Sequence, residues 1–196
     1  MSRLQPVLGT EIVDDIRLGH TWDEYYVLEN FIKIEKPAWF IEVGVHEGGL
    51  SYLLIPSLKG INYLGIELDC GIVRPQVKDI YTHHYNAELL CADCFSSTVA
   101  LAVQRKEGKK IIYCDGGHKV KELHHFKYMC KPGDILMAHD FWDGNRKIKG
   151  VEEPHPEVLP MDIVNIDTTG EFTRLDEDIF KNTRIIGWIR NEPKEK

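Results

Sequence analysis

Residues 40–51 read Phe40-Ile41-Glu42-Val43-Gly44-Val45-His46-Glu47-Gly48-Gly49-Leu50-Ser51. An apolar run of strand length stops at glycine, turns through polar residues, and re-enters an apolar stretch, Gly49 to Leu58, long enough for a helix. Glycine permits that turn and lets a backbone approach a neighbour or ligand closely. Outward from this turn the pattern repeats. Ala38 to Val43, Ile61 to Leu68, Glu88 to Ala92, Lys110 to Asp115 and Asp134 to His139 read as buried strands. Between them, Gly49 to Leu58, Ile72 to Tyr85, Ser96 to Glu107 and Lys119 to Cys130 read as helices. Strand alternating with helix predicts an α/β fold: a doubly wound, mostly parallel Rossmann-like sheet with helices on both faces. Pro56 and Pro75 fall in two of these helices and predict that they are short or kinked.

Residues 1–37 form a helical lead-in, with apolar residues at approximately helical spacing from Trp22 to Ile34 and Pro37 closing the segment. After Asp140 the pattern loosens. Residues 141–170 read as a loop, either a substrate lid or a plain surface excursion. Glu171 to Leu175 and Arg184 to Arg190 read as a final pair of strands, one of them antiparallel. The 196 residues, 43% of them apolar, suit one domain spanning 1–196.

The formal charge of -7 argues against nucleic acid as the main partner. The short basic runs Lys109-Lys110 and Arg146-Lys147 read as solvated turns. No apolar run reaches the roughly 20 residues of a membrane span, and no leader pattern opens the chain. A cytoplasmic protein is expected, and a homo-oligomer is compatible with the sequence. The five cysteines lie in or beside apolar segments and read as reduced thiols, with Cys91 and Cys94 unpaired despite their C-x-x-C spacing.

In an open parallel sheet, ligands bind outside the carboxyl ends of the strands. That rule gathers Glu42 to Gly49, Glu67 to Asp69, Asp93, Asp115 to His118 and His139-Asp140. A dinucleotide fingerprint begun at Gly44 would require glycine at position 46, where this chain has His46 followed by Glu47, poor company for a pyrophosphate. Glu67, about 20 residues beyond the turn, suits ribose hydroxyls. The pocket therefore reads as one for a nucleoside without phosphates. S-adenosylmethionine (SAM) fits, because acidic residues favour its ammonium and sulfonium.

The stretch from Phe40 to Ser51 resembles motif I of class I SAM-dependent methyltransferases, with Glu42, Gly44 and Gly48 in the matching places. The resemblance implies that this loop holds the methionine part of SAM, with Glu42 orienting its amino group. Tyr63 to Asp69 is similar to motif II and makes Glu67 the ribose ligand, while Asp93 falls where an acid near the adenine amine is common. Ile111 to Trp142 resembles the branch containing macrocin-type sugar O-methyltransferases and cephalosporin-hydroxylase-like proteins, through Asp115 to His118 as D-x-x-H and Lys131-Pro132-Gly133 as K-P-G. Metal-dependent members of such families often end the fifth strand with two acids or an acid and an amide. Here His139-Asp140-Phe141 stands instead. The implied metal set is Asp115 and Asp140 with His139 or Asp143, and Mg²⁺ is the ion.

Methyl transfer to a hydroxyl requires a proton acceptor, and histidine titrates near working pH. His118 is the expected base, set against a plain helix-start residue. Asp115 is a donor ligand, a metal ligand or the N-cap of the next helix. Adjacent pairs His83-His84 and His124-His125 diverge on a helix and do not read as one ion site. Phe141 and Trp142 read as packing rather than pocket wall. The expected activity is SAM-dependent O-methylation of a small hydroxylated acceptor. The alternatives are a nucleoside-binding module of the same fold and a metal-dependent hydrolase or hydroxylase built on the Asp and His cluster.

Overall fold

The computed structural model describes residues 11–146, 148 and 156–193. A small hairpin comes first, β1 (Ile12–Val13) and β2 (Ile16–Arg17), turning through Asp14 and Asp15 at positive φ. The helix α1 (Trp22–Glu35) follows, begun by a reciprocal cap: Thr21 Oγ1 accepts from the Glu24 backbone N–H, and Glu24 Oε2 accepts from that of Thr21. Then come β3 (Trp39–Val43), α2 (Gly49–Ser57), β4 (Asn62–Glu67), α3 (Pro75–His83), β5 (Ala87–Cys91) and α4 (Ser97–Gln104). The chain continues through β6 (Lys110–Cys114), α5 (Lys119–Phe126), β7 (Ile135–Ala138), α6 (Pro160–Asp167), β8 (Phe172–Arg174), α7 (Glu177–Phe180) and β9 (Ile186–Arg190).

Seven strands form one sheet in the order β5-β4-β3-β6-β7-β9-β8. The first five run parallel, and β9 is antiparallel to both β7 and β8. Apolar side chains fill both faces. Phe40, Tyr63, Ile111, Tyr113 and Met137 pack beneath α1, α2 and α3, while Ile41, Leu64, Ile112, Leu136 and Trp188 pack beneath α4, α5 and α6. The strand order reverses between β3 and β6, which opens a crevice at their carboxyl ends.

The expected doubly wound sheet, its antiparallel addition near the C-terminus and the strand–helix alternation all stand. Pro75 starts α3 at its first turn, where a missing N–H costs nothing, and Pro56 falls in the last turn of α2. Several expectations need correction. The lead-in is not helical throughout, since the β1–β2 hairpin precedes α1. The 141–170 loop contains α6, whose first residue is Pro160 and whose start is held by Leu159 N–H donating to Asp162 Oδ2 at 2.9 Å. Lys147, Pro154 and His155 lie outside the described residues.

The basic runs are not solvated turns where they are described. Lys110 is fully buried with Nζ 2.6 Å from Asp134 Oδ2, and Arg146 Nη1 donates to the Thr183 and Ile185 carbonyls at 2.9 and 2.7 Å. Nor are all the thiols reduced. Cys70 and Cys91 form a disulfide, because β4 and β5 are neighbours and pair Glu67 with Cys91, so the turn after β4 returns Cys70 to that edge. Cys94, Cys114 and Cys130 remain free. Among the described residues no helix is long and apolar enough to cross a membrane.

Candidate active site

A cavity of about 840 Å³ opens at the carboxyl ends of the parallel strands, over the β3/β6 reversal. Its wall includes Glu42, Gly44, Glu67, Asp93, Asp115, His118, His139 and Asp140, so the sheet brings together all the expected site residues except Gly48 and Asp143. The cavity has two ends of different construction.

The first end lies over β3, β4 and β5. Gly44 has φ +89°, and a Cβ there would fall 2.5 Å from Gly116 Cα and 2.7 Å from the Asp115 carbonyl oxygen. Only glycine allows the β3 and β6 turns to touch in this way. His46 also lies at positive φ, +54°, and its N–H donates to Glu67 Oε2 at 2.7 Å. Glu67 Oε1 accepts from Asp69 N–H at 3.0 Å. The Glu67 carboxylate is thus oriented by two backbone donors and keeps acceptor capacity toward the cavity.

Glu42 is buried beneath the turn, where Ser51 Oγ contacts its Oε2 and the Tyr63 hydroxyl donates to the same oxygen at 2.8 Å. Burial pushes its carboxyl up to about 8 despite those two bonds, helped by the charges of Asp115 and Glu67. Asp93 is exposed at the rim and caps its own loop through Phe95 N–H. Gly48 does not line the cavity. Its φ is +93° and a Cβ there would meet Val77 Cγ1 at 2.5 Å, so it serves the packing of α2 against α3. Glu47 also turns away, to Arg17 N–H and the Arg74 guanidinium.

The second end lies over β6 and β7 and is a network of buried charge. Glu24 is fully buried and receives three bonds from Arg184, through its backbone N–H, Nε and Nη2, at 2.8–2.9 Å. Arg184 Nη1 also donates to Asp140 Oδ1 at 2.9 Å. Asp140 has φ +58°, a strained value for a side chain larger than glycine's. His139 Nδ1 lies 3.2 Å from Asp115 Oδ1 and 3.4 Å from Asp140 Oδ1, and its Nε2 lies 3.4 Å from Glu24 Oε1. Burial alone would lower the His139 pKa, but Asp115, Asp140 and Glu24 outweigh it and raise it to about 9. His20 stacks on His139 with ring centroids 4.2 Å apart and shares a 2.7 Å hydrogen bond with the Tyr113 hydroxyl. Burial and the His139 charge lower its pKa to about 4, so His20 is neutral. Asp115 opposes the cost of its burial with the charges of His139 and Lys119, which hold it below the usual carboxylate range.

Sequence reasoning passed over Lys119, one residue beyond the expected base. Its side chain is buried, and Nζ reaches the Gly116 carbonyl oxygen at 2.9 Å, Asp140 Oδ2 at 3.0 Å, Glu157 Oε2 at 3.1 Å and Asp115 Oδ1 at 3.6 Å. Its spacing of four from Asp115 across a helix start is the one signal that could have found it. Glu122 was also missed; its carboxylate accepts from Gly116 and His118 N–H at 3.1 and 3.0 Å and holds the D-x-x-H turn from below.

The expected metal set is not the one assembled. His20, Asp115 and His139 offer ligand atoms within 4.8 Å of one another, but Asp140 is outside that group. The ammonium of Lys119 stands between Asp115 and Asp140, and with His139 and Arg184 it balances the charges of Asp115, Asp140 and Glu24. A dication there would have to displace Lys119 and the His139 proton, so the donor set does not fit Mg²⁺. Asp143 is spent on Asn145 and Arg146 N–H and does not line the cavity. His118 is exposed on the rim as the N-cap of α5. Phe141 is fully buried with the Arg146 and Arg174 guanidinium groups 4.6 and 5.4 Å from its ring centroid, a packing residue as expected.

No known family model and no curated protein matches the chain. Solved structures do. CmcI-N160 in its apo form superposes with a TM-score of 0.68 over 93% of this chain and 77% of that one, at 14% identity. The O-methyltransferase TomG from Streptomyces achromogenes, in complex with SAM, gives 0.61 over 89% and 82% at 10% identity. A methyltransferase from Geobacter sulfurreducens gives 0.58 over 92% and 81% at 13% identity. At these identities the likeness is one of fold, and the chain has the Rossmann-like fold of the methyltransferases.

Proposed function

We propose that this chain is a SAM-dependent O-methyltransferase of a small hydroxylated acceptor, in the branch that the D-x-x-H and K-P-G motifs resemble. The observation that carries the reading is the Glu67 carboxylate, aimed into the cavity by two backbone donors beside the glycine contact of the β3 and β6 turns. These residues fit SAM: Glu67 accepts from the ribose hydroxyls, Asp93 stands near the adenine edge, and the turn at Gly44 leaves room for the methionine part. Glu42 beneath that turn is a neutral acid that a nearby ammonium would draw toward its charged form. TomG, of the same fold, carries SAM.

When bound, SAM supplies a methyl carbon made electrophilic by its sulfonium. The chain aligns the acceptor oxygen with that carbon and takes the proton. His118, on the cavity rim, would take the hydroxyl proton on an imidazole nitrogen as the acceptor oxygen is methylated. Elimination supports His118. His20 is committed to Tyr113, His139 is already protonated, and His46 stands at the other end of the cavity. The acceptor is a small molecule rather than nucleic acid or membrane, in keeping with the net charge of -7.

Labelled SAM with a panel of catechols, phenols and sugars tests the reading. His118→Ala is expected to lower turnover by roughly 10²–10⁴, the span of a positioned base, with donor affinity unchanged. Full turnover by His118→Ala would remove the base role. Donor binding without transfer to any acceptor would favour the nucleoside-binding module.

A further inference from the structure

The Lys119 ammonium donates to the Gly116 carbonyl and to Glu157, and pairs with Asp140 Oδ2 at 3.0 Å. These partners are unequal. The Lys119 side chain is 6% exposed and that of Asp140 16%, whereas Glu157 is 47% exposed and lines the cavity. Its backbone is nevertheless pinned, since Glu157 and Val158 N–H both donate to the Asp140 carbonyl oxygen and Val158 is fully buried. The Glu157 carboxylate can therefore swing into solvent by side-chain rotation alone. That would leave one donor of a buried cation facing the cavity, beside the Gly116 turn that touches Gly44. A buried unpaired donor is costly, and a half-exposed ion pair exchanges cheaply, so another carboxylate is the natural replacement. Burial acts to lower the Lys119 pKa, but Asp115, Asp140 and Glu157 hold it above its ordinary value, so the charge is kept.

We propose that the acceptor carries a carboxylate, which takes the place of Glu157 on Lys119. The word acceptor rests on the methyltransferase reading; the carboxylate site does not. Lys119 anchors the acceptor, and Glu157 occupies the anchor between turnovers.

Benzoate titration of the labelled full chain, followed by NMR, tests this, with benzamide as the neutral isostere. Glu157→Ala is expected to bind benzoate at least tenfold more tightly than the unsubstituted chain, with no gain for benzamide. Lys119→Met is expected to lose benzoate binding. Equal benzoate affinity with and without Glu157, or benzoate bound equally well by a folded Lys119→Met, would overturn the proposal. Competition between Mg²⁺ and benzoate would overturn it too, by returning the site to a metal. Should Lys119→Met not fold, the Glu157→Ala comparison decides alone. S-adenosylhomocysteine affinity measured on the same samples separates the two readings. Intact donor binding with no benzoate gain ends this proposal only, and a benzoate gain without donor binding ends methyl transfer only.

Discussion

At one end of the cavity Gly44, Glu67 and Asp93 stand on three successive strand ends, and Glu67 takes its bonds from backbone N–H groups two and 21 positions away. At the other end Glu24 and Arg184 meet across 160 positions, and His20 reaches Tyr113 across 93. The first end is made by turns and keeps its acceptor atoms free for a ligand. The second is made by side chains that neutralise one another, so its charges hold the chain together before they can hold anything else. Substitutions should divide accordingly, with stability the main loss when a member of the buried charge network goes and donor binding the main loss when the Gly44 turn or Glu67 goes.

The largest effect is expected from Glu24→Ala, which leaves Arg184 and His139 without their buried partner. Removing one side of a buried ion pair typically costs about 3–5 kcal/mol. Urea unfolding measures it, and a loss below about 1 kcal/mol would mean that the network does not hold the fold. The Cys70–Cys91 bond probes the first end in the same units. It closes a loop with a sequence separation of 21, for which chain entropy gives about 3 kcal/mol, and Cys70→Ser should show it as a lower urea midpoint. An unchanged midpoint would mean that the bond does not form in solution. The bond also bears on the cytoplasmic expectation, since cytosolic thiol buffers reduce most disulfides.

The smallest effect separates the ends by pH. The Glu42 pKa is raised from 4.5 to about 8, so the folded chain keeps a proton that the unfolded chain gives up, and stability falls as pH rises through that window. The His139 contribution is fully present below 6.5 and is lost as pH rises through about 9. Asp115 and Glu24 act in the opposite sense: their pKa values are depressed, so their stabilisation is present above the unfolded values and lost in acid. Glu42→Gln should remove its share of the slope, at most about 1.4 kcal/mol per pH unit, between 4.5 and 6.5, where His139 contributes nothing and His20, lowered from 6.5 to about 4, adds a slope of opposite sign to both proteins alike. Equal slopes in that window would show that Glu42 does not hold the proton.

The same division explains what could be read in advance. Apolar runs and glycines are local, so the alternation from Ala38 to Asp140, the Gly44 turn and Glu67 were legible. Gly48 was read as a glycine of the loop that holds the methionine part of SAM, and its approach to Val77 was not legible, because packing between α2 and α3 is not a local property. Pro160 was read as loop although proline suits a first helical turn. His20, Glu24, Glu157 and Arg184 carry no signal of their own, and only tertiary structure brings them to Asp115 and Asp140. Lys119 was hidden by its neighbour, since the D-x-x-H motif drew attention to His118.

The central claim is that the Gly44 turn and Glu67 form a site for an adenosine donor without phosphates. Isothermal titration of the purified chain with S-adenosylhomocysteine and with NAD, repeated on Glu67→Ala, tests it most directly. The account predicts a dissociation constant for S-adenosylhomocysteine of about 10⁻⁶ M or below, much weaker NAD binding, and a loss of about 1.5–3 kcal/mol in Glu67→Ala, the range for hydrogen bonds to a charged group. NAD binding tighter than S-adenosylhomocysteine, or unchanged affinity in Glu67→Ala, would contradict it.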